Sequence, residues 1–145
     1  MDRQGTGLTI VRICIGVFFI AEGLGKIRWF ANSSILAAQL AGWLQSVPPG
    51  STSQWYLEHV AIPGVVYFAR LVPLGELSCG VALLLGFWTP VFAFVAFLMA
   101  LNFQFASGVV FRLSFLTSGY GLPVLGSTLG LSVGGVRLPL SVKRG

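Results

Sequence analysis

Charged residues are scarce in this sequence. Asp, Glu, Lys and Arg make up 9% of the 145 residues, whereas soluble domains carry about 25%. Hydrophobic residues account for 55% of the chain, and its mean hydropathy is +0.86. So few charges cannot cover a water-exposed surface, which excludes an ordinary soluble domain and indicates that the main solvent is lipid. The length predicts a single domain over residues 1–145.

Ligands for metals and redox groups are equally few. The chain has one histidine, His59, and two cysteines, Cys14 and Cys79, which both lie in apolar runs. We expect the cysteines to be small buried hydrophobes rather than a disulfide or a metal site. A haem or zinc centre would need more histidine or cysteine than this. We therefore predict no metal site and no intrinsic cofactor.

Motifs of common enzymes and nucleic-acid-binding proteins are also missing. The sequence contains no phosphate-binding P-loop, no dinucleotide glycine fingerprint, no HExxH and no GxSxG. Its nine Lys and Arg residues are scattered, unlike the basic patch that binds nucleic acid. We therefore predict no nucleic-acid partner, no catalytic residues and no catalysis by this chain alone.

Four stretches are apolar and long enough to cross a bilayer, which takes about 20 residues. They cover residues 8–27, 63–86, 90–111 and 113–133. They predict an all-α fold, an integral membrane four-helix up-down bundle. Arg12 lies in the first stretch and no small-x-small cleavage pattern follows it, so we expect a retained span and not a cleaved signal peptide.

The long connection between the first two stretches predicts two interfacial helices, over residues 34–47 and 53–60. The first is uncharged, too short to span, and has its large apolar side chains on one face: Leu36, Leu40, Trp43, Leu44 and Val47. Such a helix lies in the membrane interface or folds over the mouth of the bundle. The four tryptophans fall in this connection or near span ends, which predicts interfacial anchoring rather than stacking on a cofactor.

Basic residues predict the orientation of the chain. An even number of spans puts both termini on one side, together with Arg3, Arg137, Lys143 and Arg144. The opposite side has Lys26, Arg28 and Arg112. The positive-inside rule then places both termini in the cytoplasm.

Five ionisable side chains lie within the first two apolar stretches: Arg12, Glu22, Lys26, Arg70 and Glu76. A charge at bilayer depth costs about 3 kcal/mol or more unless it is paired or hydrated, so these groups are candidates for a ligand site or for ion pairs. If Glu22 is level with Arg70 in an antiparallel pair of spans, Arg12 lies within roughly 6 Å of the height of Glu76. We therefore predict two bridges, Glu22 to Arg70 and Arg12 to Glu76. Lys26, one turn after Glu22, is a further partner for that carboxylate.

Two interpretations of these groups stay open. One is a polar pocket that binds a quinone head group, a small anion or a relayed proton, and the other is a set of ion pairs that only fixes helix register. Pro73 slightly favours the pocket, because a local break of the helix there would open space for a ligand. Asn102, Gln104 and Ser107 in the third stretch are candidates for lining the same cavity.

Glycine recurs at every fourth position of the last stretch, at Gly126, Gly130 and Gly134. Residues at this spacing share one helix face, and their small size lets another helix approach closely. We predict a helix-packing face here, used inside the bundle or against another subunit.

Two motifs carry a resemblance to a known family. Arg12, Gly16, Phe19, Gly23 and Lys26 stand in the spacing Arg-x3-Gly-x2-Phe-x3-Gly-x2-Lys. The second motif is the stretch GELSCGVALLLG, residues 75–86, followed by an aromatic-Thr turn. Together they resemble the DoxX family of four-span membrane proteins, which is similar to the small membrane subunit of thiosulfate:quinone oxidoreductase.

The resemblance implies the fold and a compartment, the bacterial cytoplasmic (inner) membrane, and it makes Arg12, Glu22, Lys26 and Glu76 the matching polar residues. The small size, the missing redox ligands and the glycine face of the fourth span favour an accessory subunit of a multi-subunit respiratory or photosynthetic electron-transfer complex, with membrane lipids and other subunits as partners. An alternative is a quinone-binding subunit of a thiosulfate:quinone-type oxidoreductase, in which the bound molecule is a quinone or a lipid. The charged residues also permit a small transporter or proton path.

Overall fold

The computed structural model describes residues 2–142, and its regular elements are helical. Six α-helices follow one another along the chain: α1 (Arg3–Gly25), α2 (Ser34–Ser46), α3 (Thr52–Tyr56), α4 (Val65–Leu85), α5 (Thr89–Ala106) and α6 (Leu122–Gly134). A π-helical turn, Leu57–Ala61, continues α3, and short 3-10 turns fill several connections. The prediction of an all-α fold is confirmed.

Three of these helices, α1, α4 and α5, are long and apolar enough to cross a membrane. With 23, 21 and 18 residues, they are about 35, 32 and 27 Å long, against a hydrocarbon core of about 30 Å. Helix α6 has 13 residues and is about 20 Å long. The helices in the first three predicted spans are therefore long enough to cross a membrane, and the helix in the fourth is not.

The prediction of a continuous helix over residues 113–133 is wrong. Two 3-10 turns, Val109–Phe111 and Leu113–Leu116, come first, and α6 begins only at Leu122. Gly119 and Gly121 favour turns over helix just before α6. Pro123 lies in the first turn of α6, a position that suits the start of a helix. Hydropathy alone misses this break because the 3-10 turns are themselves apolar.

The three long apolar helices and α6 contact one another in sequence order. Helix α1 packs chiefly against α4, α4 also contacts α5, α5 packs against α6, and α6 returns to α1. Their shared core includes Phe19, Cys79, Leu83, Ala96 and Leu131. Cys79 is buried and Cys14 is exposed, and both are free thiols. The expectation of a buried cysteine therefore holds for Cys79 and is wrong for Cys14.

A second core forms where α2 folds back over one end of the long helices. Leu36 and Leu40 of α2 are buried with Leu57 and Ala106. Trp29 is also buried in this core, although an interfacial anchor would lie at the surface. The apolar face predicted for α2 is confirmed, and it packs over this end of the long helices.

Glycines set the register between α1 and α4. A β-carbon at Gly16 would lie 2.8 Å from the amide nitrogen of Leu84, and one at Gly80 would lie 2.7 Å from the amide nitrogen of Ile20. The two backbones are therefore in direct contact, an approach that only glycine allows. Gly23 lies against Leu77 in the same way. Because 16 faces 84 and 23 faces 77 in an antiparallel pair, residue 76 is level with residue 24, midway between residues 22 and 26.

Candidate functional site

An ammonium between two carboxylates is the centre of the site. Lys26 Nζ lies 2.7 Å from Glu22 Oε2, and 2.8 and 3.0 Å from the two carboxylate oxygens of Glu76. The side chains of Glu76, Lys26 and Glu22 are 5%, 16% and 28% exposed. Lys26 caps the C-terminal end of α1, and Glu76 lies about halfway along α4. We call these three residues the charge cluster.

The helix register explains why both predicted bridges are wrong. Because Glu76 is level with residue 24, its carboxylate lies beside both Glu22 and Lys26, and the Lys26 ammonium lies between the two carboxylates. The contact predicted between Glu22 and Lys26 is confirmed. Arg70 is exposed and donates from Nη1 to the carbonyl of Val66, one turn earlier in its own helix, at 3.0 Å. It lies near the start of α4, where a long basic side chain can extend to the membrane surface.

Arg12 is fully buried and takes backbone carbonyls instead of a carboxylate. Its Nη1 donates to Leu83 O at 3.1 Å, and its Nη2 donates to Pro139 O at 3.3 Å and Leu140 O at 2.9 Å. Leu83 is in the last turn of α4, where the negative end of the helix dipole favours a cation, and its carbonyl also accepts from the Gly86 amide at 3.2 Å. Arg12 therefore ties the segment after α6 to the α1–α4 pair, away from the charge cluster.

A cavity of about 190 Å³ borders the charge cluster. Five aromatic side chains form much of its wall: Phe18, Phe19, Trp43, Phe103 and Tyr120. The Lys26 nitrogen lies 5.1 Å from the centre of the Phe103 ring, a distance at which a cation is attracted to the ring face. The cavity therefore has charges on one side and ring faces on others, and Trp43 brings α2 into its wall.

Tyr120 and Gln104 connect the remaining polar groups of the cavity. Tyr120 OH donates to Glu22 Oε1 at 3.3 Å, and Gln104 Nε2 donates to the carbonyl of Tyr120 at 3.1 Å. Gln104 Oε1 is buried and has no hydrogen-bond partner among residues 2–142. Ser107, which also lines the cavity, donates to the backbone carbonyl of Gln104 at 3.3 Å.

The structure brings part of the predicted site together and adds residues that the sequence analysis missed. Gln104 and Ser107 line the cavity as predicted. Asn102 does not, since its Oδ1 accepts from Tyr56 OH at 2.6 Å on another side of α5. Tyr120 and Trp43 were missed because they come from a loop and from α2, whose positions over the cavity depend on tertiary packing.

Helix α4 continues through Pro73 without interruption. The predicted break at this proline is therefore wrong, and the space for a ligand does not come from it. The cavity lies instead between the ends of α1 and α5 and the middle of α4.

The glycine face of α6 is only partly used inside the chain. A β-carbon at Gly134 would lie 3.3 Å from Leu8 of α1, whereas Gly126 and Gly130 have open space above them. Of the two uses predicted for this face, packing inside the bundle applies to Gly134 alone.

These features define a class: an all-helical integral membrane protein with a buried carboxylate–ammonium–carboxylate cluster beside a small aromatic cavity. The family model DoxX matches residues 7–108. The chain thus belongs to the DoxX family, and the resemblance seen in its motifs is confirmed. The match includes all three residues of the charge cluster, and ends before Tyr120. No curated protein matches the chain, and no solved structure matches it.

Proposed function

We propose that this DoxX protein is a membrane subunit that binds the ring head group of a quinone in the cavity beside the charge cluster. The observation that carries the proposal is the position of Glu22, Lys26 and Glu76 in the wall of an aromatic cavity, with Glu76 near the middle of the long apolar helix α4. Ionisable groups at such depth mark ligand sites or proton paths by default. Flat aromatic walls suit a flat ring, since stacked and edge-on ring contacts are both favourable.

The size of the cavity fits a head group and not a whole lipid quinone. Sites that enclose drug-sized ligands are roughly 300–1,000 Å³, whereas this cavity is about 190 Å³. Tyr120, at its wall, is 54% exposed. The isoprenoid tail would therefore leave past Tyr120 and lie among the lipids.

The charge cluster supplies proton chemistry at the ring. Reduction of a quinone takes up protons as well as electrons, and its oxidation releases both. Glu22 is the most exposed member of the cluster and accepts a hydrogen bond from Tyr120. These two side chains therefore form a path by which a proton can pass between the cavity and the cluster.

We also propose that the chain is an accessory subunit of a respiratory or photosynthetic electron-transfer complex, to which it contributes the quinone site. With one histidine and two cysteines in the sequence, a redox centre that exchanges electrons with the quinone would belong to a partner subunit. The open space over Gly126 and Gly130 supports a neighbouring helix at α6. Purification in mild detergent is expected to retain partner chains in fixed ratio. A protein that purifies alone and monodisperse would contradict the role as an accessory subunit.

We also propose that α6 completes a four-helix up-down bundle in the bacterial cytoplasmic membrane, with both termini in the cytoplasm. Contacts of α6 with α5 and α1 support this arrangement. Helices α2 and α3 and the opening of the cavity would then lie toward the outer side of the membrane.

Filling the cavity is expected to abolish quinone binding without unfolding the protein. Ala100 lines the cavity, and an Ala100→Leu substitution adds apolar volume there while leaving the charge cluster intact. Ala21→Leu is the matched control, because Ala21 is exposed on α1 and lies outside the cavity wall. We expect at least a tenfold weaker affinity for a short-chain quinone in nanodiscs for Ala100→Leu and no change for Ala21→Leu. Equal affinity in wild type and Ala100→Leu would place the binding site elsewhere.

A further inference from the structure

Gln39 of helix α2 lines the cavity and is exposed. It stands three residues after Leu36 and four before Trp43, which both belong to the face of α2 that packs over the long helices. At this spacing the three side chains lie along one side of the helix. Gln45, the other glutamine of α2, comes about two and a half turns after Leu36 and therefore lies on the opposite side.

The polar donors that other elements bring to the wall bond within the chain. The Lys26 nitrogen lies within 3.0 Å of three carboxylate oxygens, as many as it has N–H groups. Tyr120 OH donates to Glu22, and Ser107 Oγ donates to the carbonyl of Gln104. Gln104 Nε2 donates in turn to the carbonyl of Tyr120. The donors of α1, of α5 and of the loop before α6 are therefore already used.

The side-chain amide of Gln39 is free to bond a ligand. It carries two N–H groups and an acceptor oxygen, and it has no hydrogen-bond partner in the chain between residues 2 and 142. Trp43, one turn later, adds one indole N–H, and its ring packs edge-on against Phe103 with 5.9 Å between ring centres. The unused donors of the wall therefore come from α2, whereas its charges come from α1 and α4.

We propose that Gln39 is a binding residue of the quinone site and holds one ring oxygen through its side-chain amide, so that α2 is part of the site and not only its cover. This inference rests on the proposed function, because it assumes that a ring of this class enters the cavity. A quinone oxygen accepts a hydrogen bond from Nε2, and a hydroquinone hydroxyl donates one to Oε1. Rotation of the amide by half a turn therefore serves both oxidation states, which suits a site where the ring changes between them.

Three probes with the same methylated ring test this role. They are tetramethylbenzoquinone, tetramethylhydroquinone and durene, the tetramethylbenzene without ring oxygens, titrated anaerobically into the full-length protein in nanodiscs, with protein-free nanodiscs correcting for partition into lipid. We expect both oxygenated probes to bind about fivefold more tightly than durene. Durene binding as tightly as the others would overturn the role of Gln39 and leave the cavity as a ring site. A preference for only one oxygenated probe would overturn its role in both oxidation states, and binding of none of the three would overturn the proposed function itself.

A variant assigns the preference to Gln39. Gln39→Leu removes the amide, so we expect affinity for the two oxygenated probes to fall about fivefold to the level of durene, while affinity for durene does not fall. Gln45→Leu is the matched control, because it removes the same amide from the opposite side of α2, outside the cavity wall. Persistence of the full preference in Gln39→Leu, or its loss in Trp43→Phe instead, would overturn the assignment. The comparison of probes on wild type needs no variant to fold.

Discussion

Replacement of Lys26 by methionine is expected to destabilise the protein by about 3–5 kcal/mol, the range found when one partner of a buried ion pair is removed. The change takes away the hydrogen bonds to Glu22 and Glu76 and leaves two carboxylates of the same charge side by side. Glu76 is only 5% exposed, so water replaces little of what it loses. The free energy of unfolding in detergent micelles measures the effect.

Two further variants separate the charge cluster from a general effect of removing a charge. Adding Glu76→Gln to Lys26→Met removes the repulsion, and we expect it to recover at least half of the lost stability. Arg70→Met is the control, because Arg70 is exposed and bonds only to the carbonyl of Val66, and it should cost less than about 1 kcal/mol. If Lys26→Met costs no more than Arg70→Met, Lys26 does not hold the two carboxylates together.

Substitution of Gly80 by alanine is expected to be the next most damaging change, at about 1–3 kcal/mol for an overpacked contact. Its β-carbon would lie 2.7 Å from the amide nitrogen of Ile20 and 2.9 Å from the carbonyl oxygen of Gly16. These are backbone atoms, which cannot rotate away, so α1 and α4 must separate. The separation would also lengthen the contact between Lys26 and Glu76, which joins the same two helices.

Gly130→Ala provides the matched control for Gly80→Ala. Gly130 is also a glycine within an apolar helix, but nothing lies within 4 Å of a β-carbon built there. Alanine has the higher helix propensity, so we expect unchanged or slightly higher stability in unfolding titrations. Similar losses for the two variants would show that α1 and α4 are not in direct backbone contact.

The helical architecture could be predicted well because hydropathy and length act locally. The first three spans, the apolar face of α2 and the pairing of Glu22 with Lys26 all follow from short-range spacing. The helix predicted over 113–133 failed where apolar residues form 3-10 turns and Gly121 and Pro123 delay the start of α6. Hydropathy indicates which segments are apolar, whereas glycine and proline residues determine where a helix within such a segment begins.

The partners of the buried charges could not be predicted from charge alone. Attraction between opposite signs placed Arg70 beside Glu22, but the close approach at Gly16 and Gly80 fixes the register and leaves Arg70 outside. Aligning the small residues of α1 and α4 first would have put Glu76 level with residue 24, between Glu22 and Lys26. The partners of Arg12 are backbone carbonyls, and every residue has one, so no sequence pattern marks them.

The distance from Lys26 Nζ to the carboxyl carbon of Glu76 in lipid bilayers tests the account most directly. The sequence has two lysines, Lys26 and Lys143, so a Lys143→Arg variant leaves a single labelled ammonium for solid-state dipolar recoupling between ¹⁵N and ¹³C. The account predicts that this nitrogen lies within about 4 Å of two glutamate carboxyl carbons, and that Glu76→Gln removes one of the two contacts. A nitrogen with one glutamate neighbour that survives Glu76→Gln would contradict it, because Lys26 would then be paired with Glu22 alone.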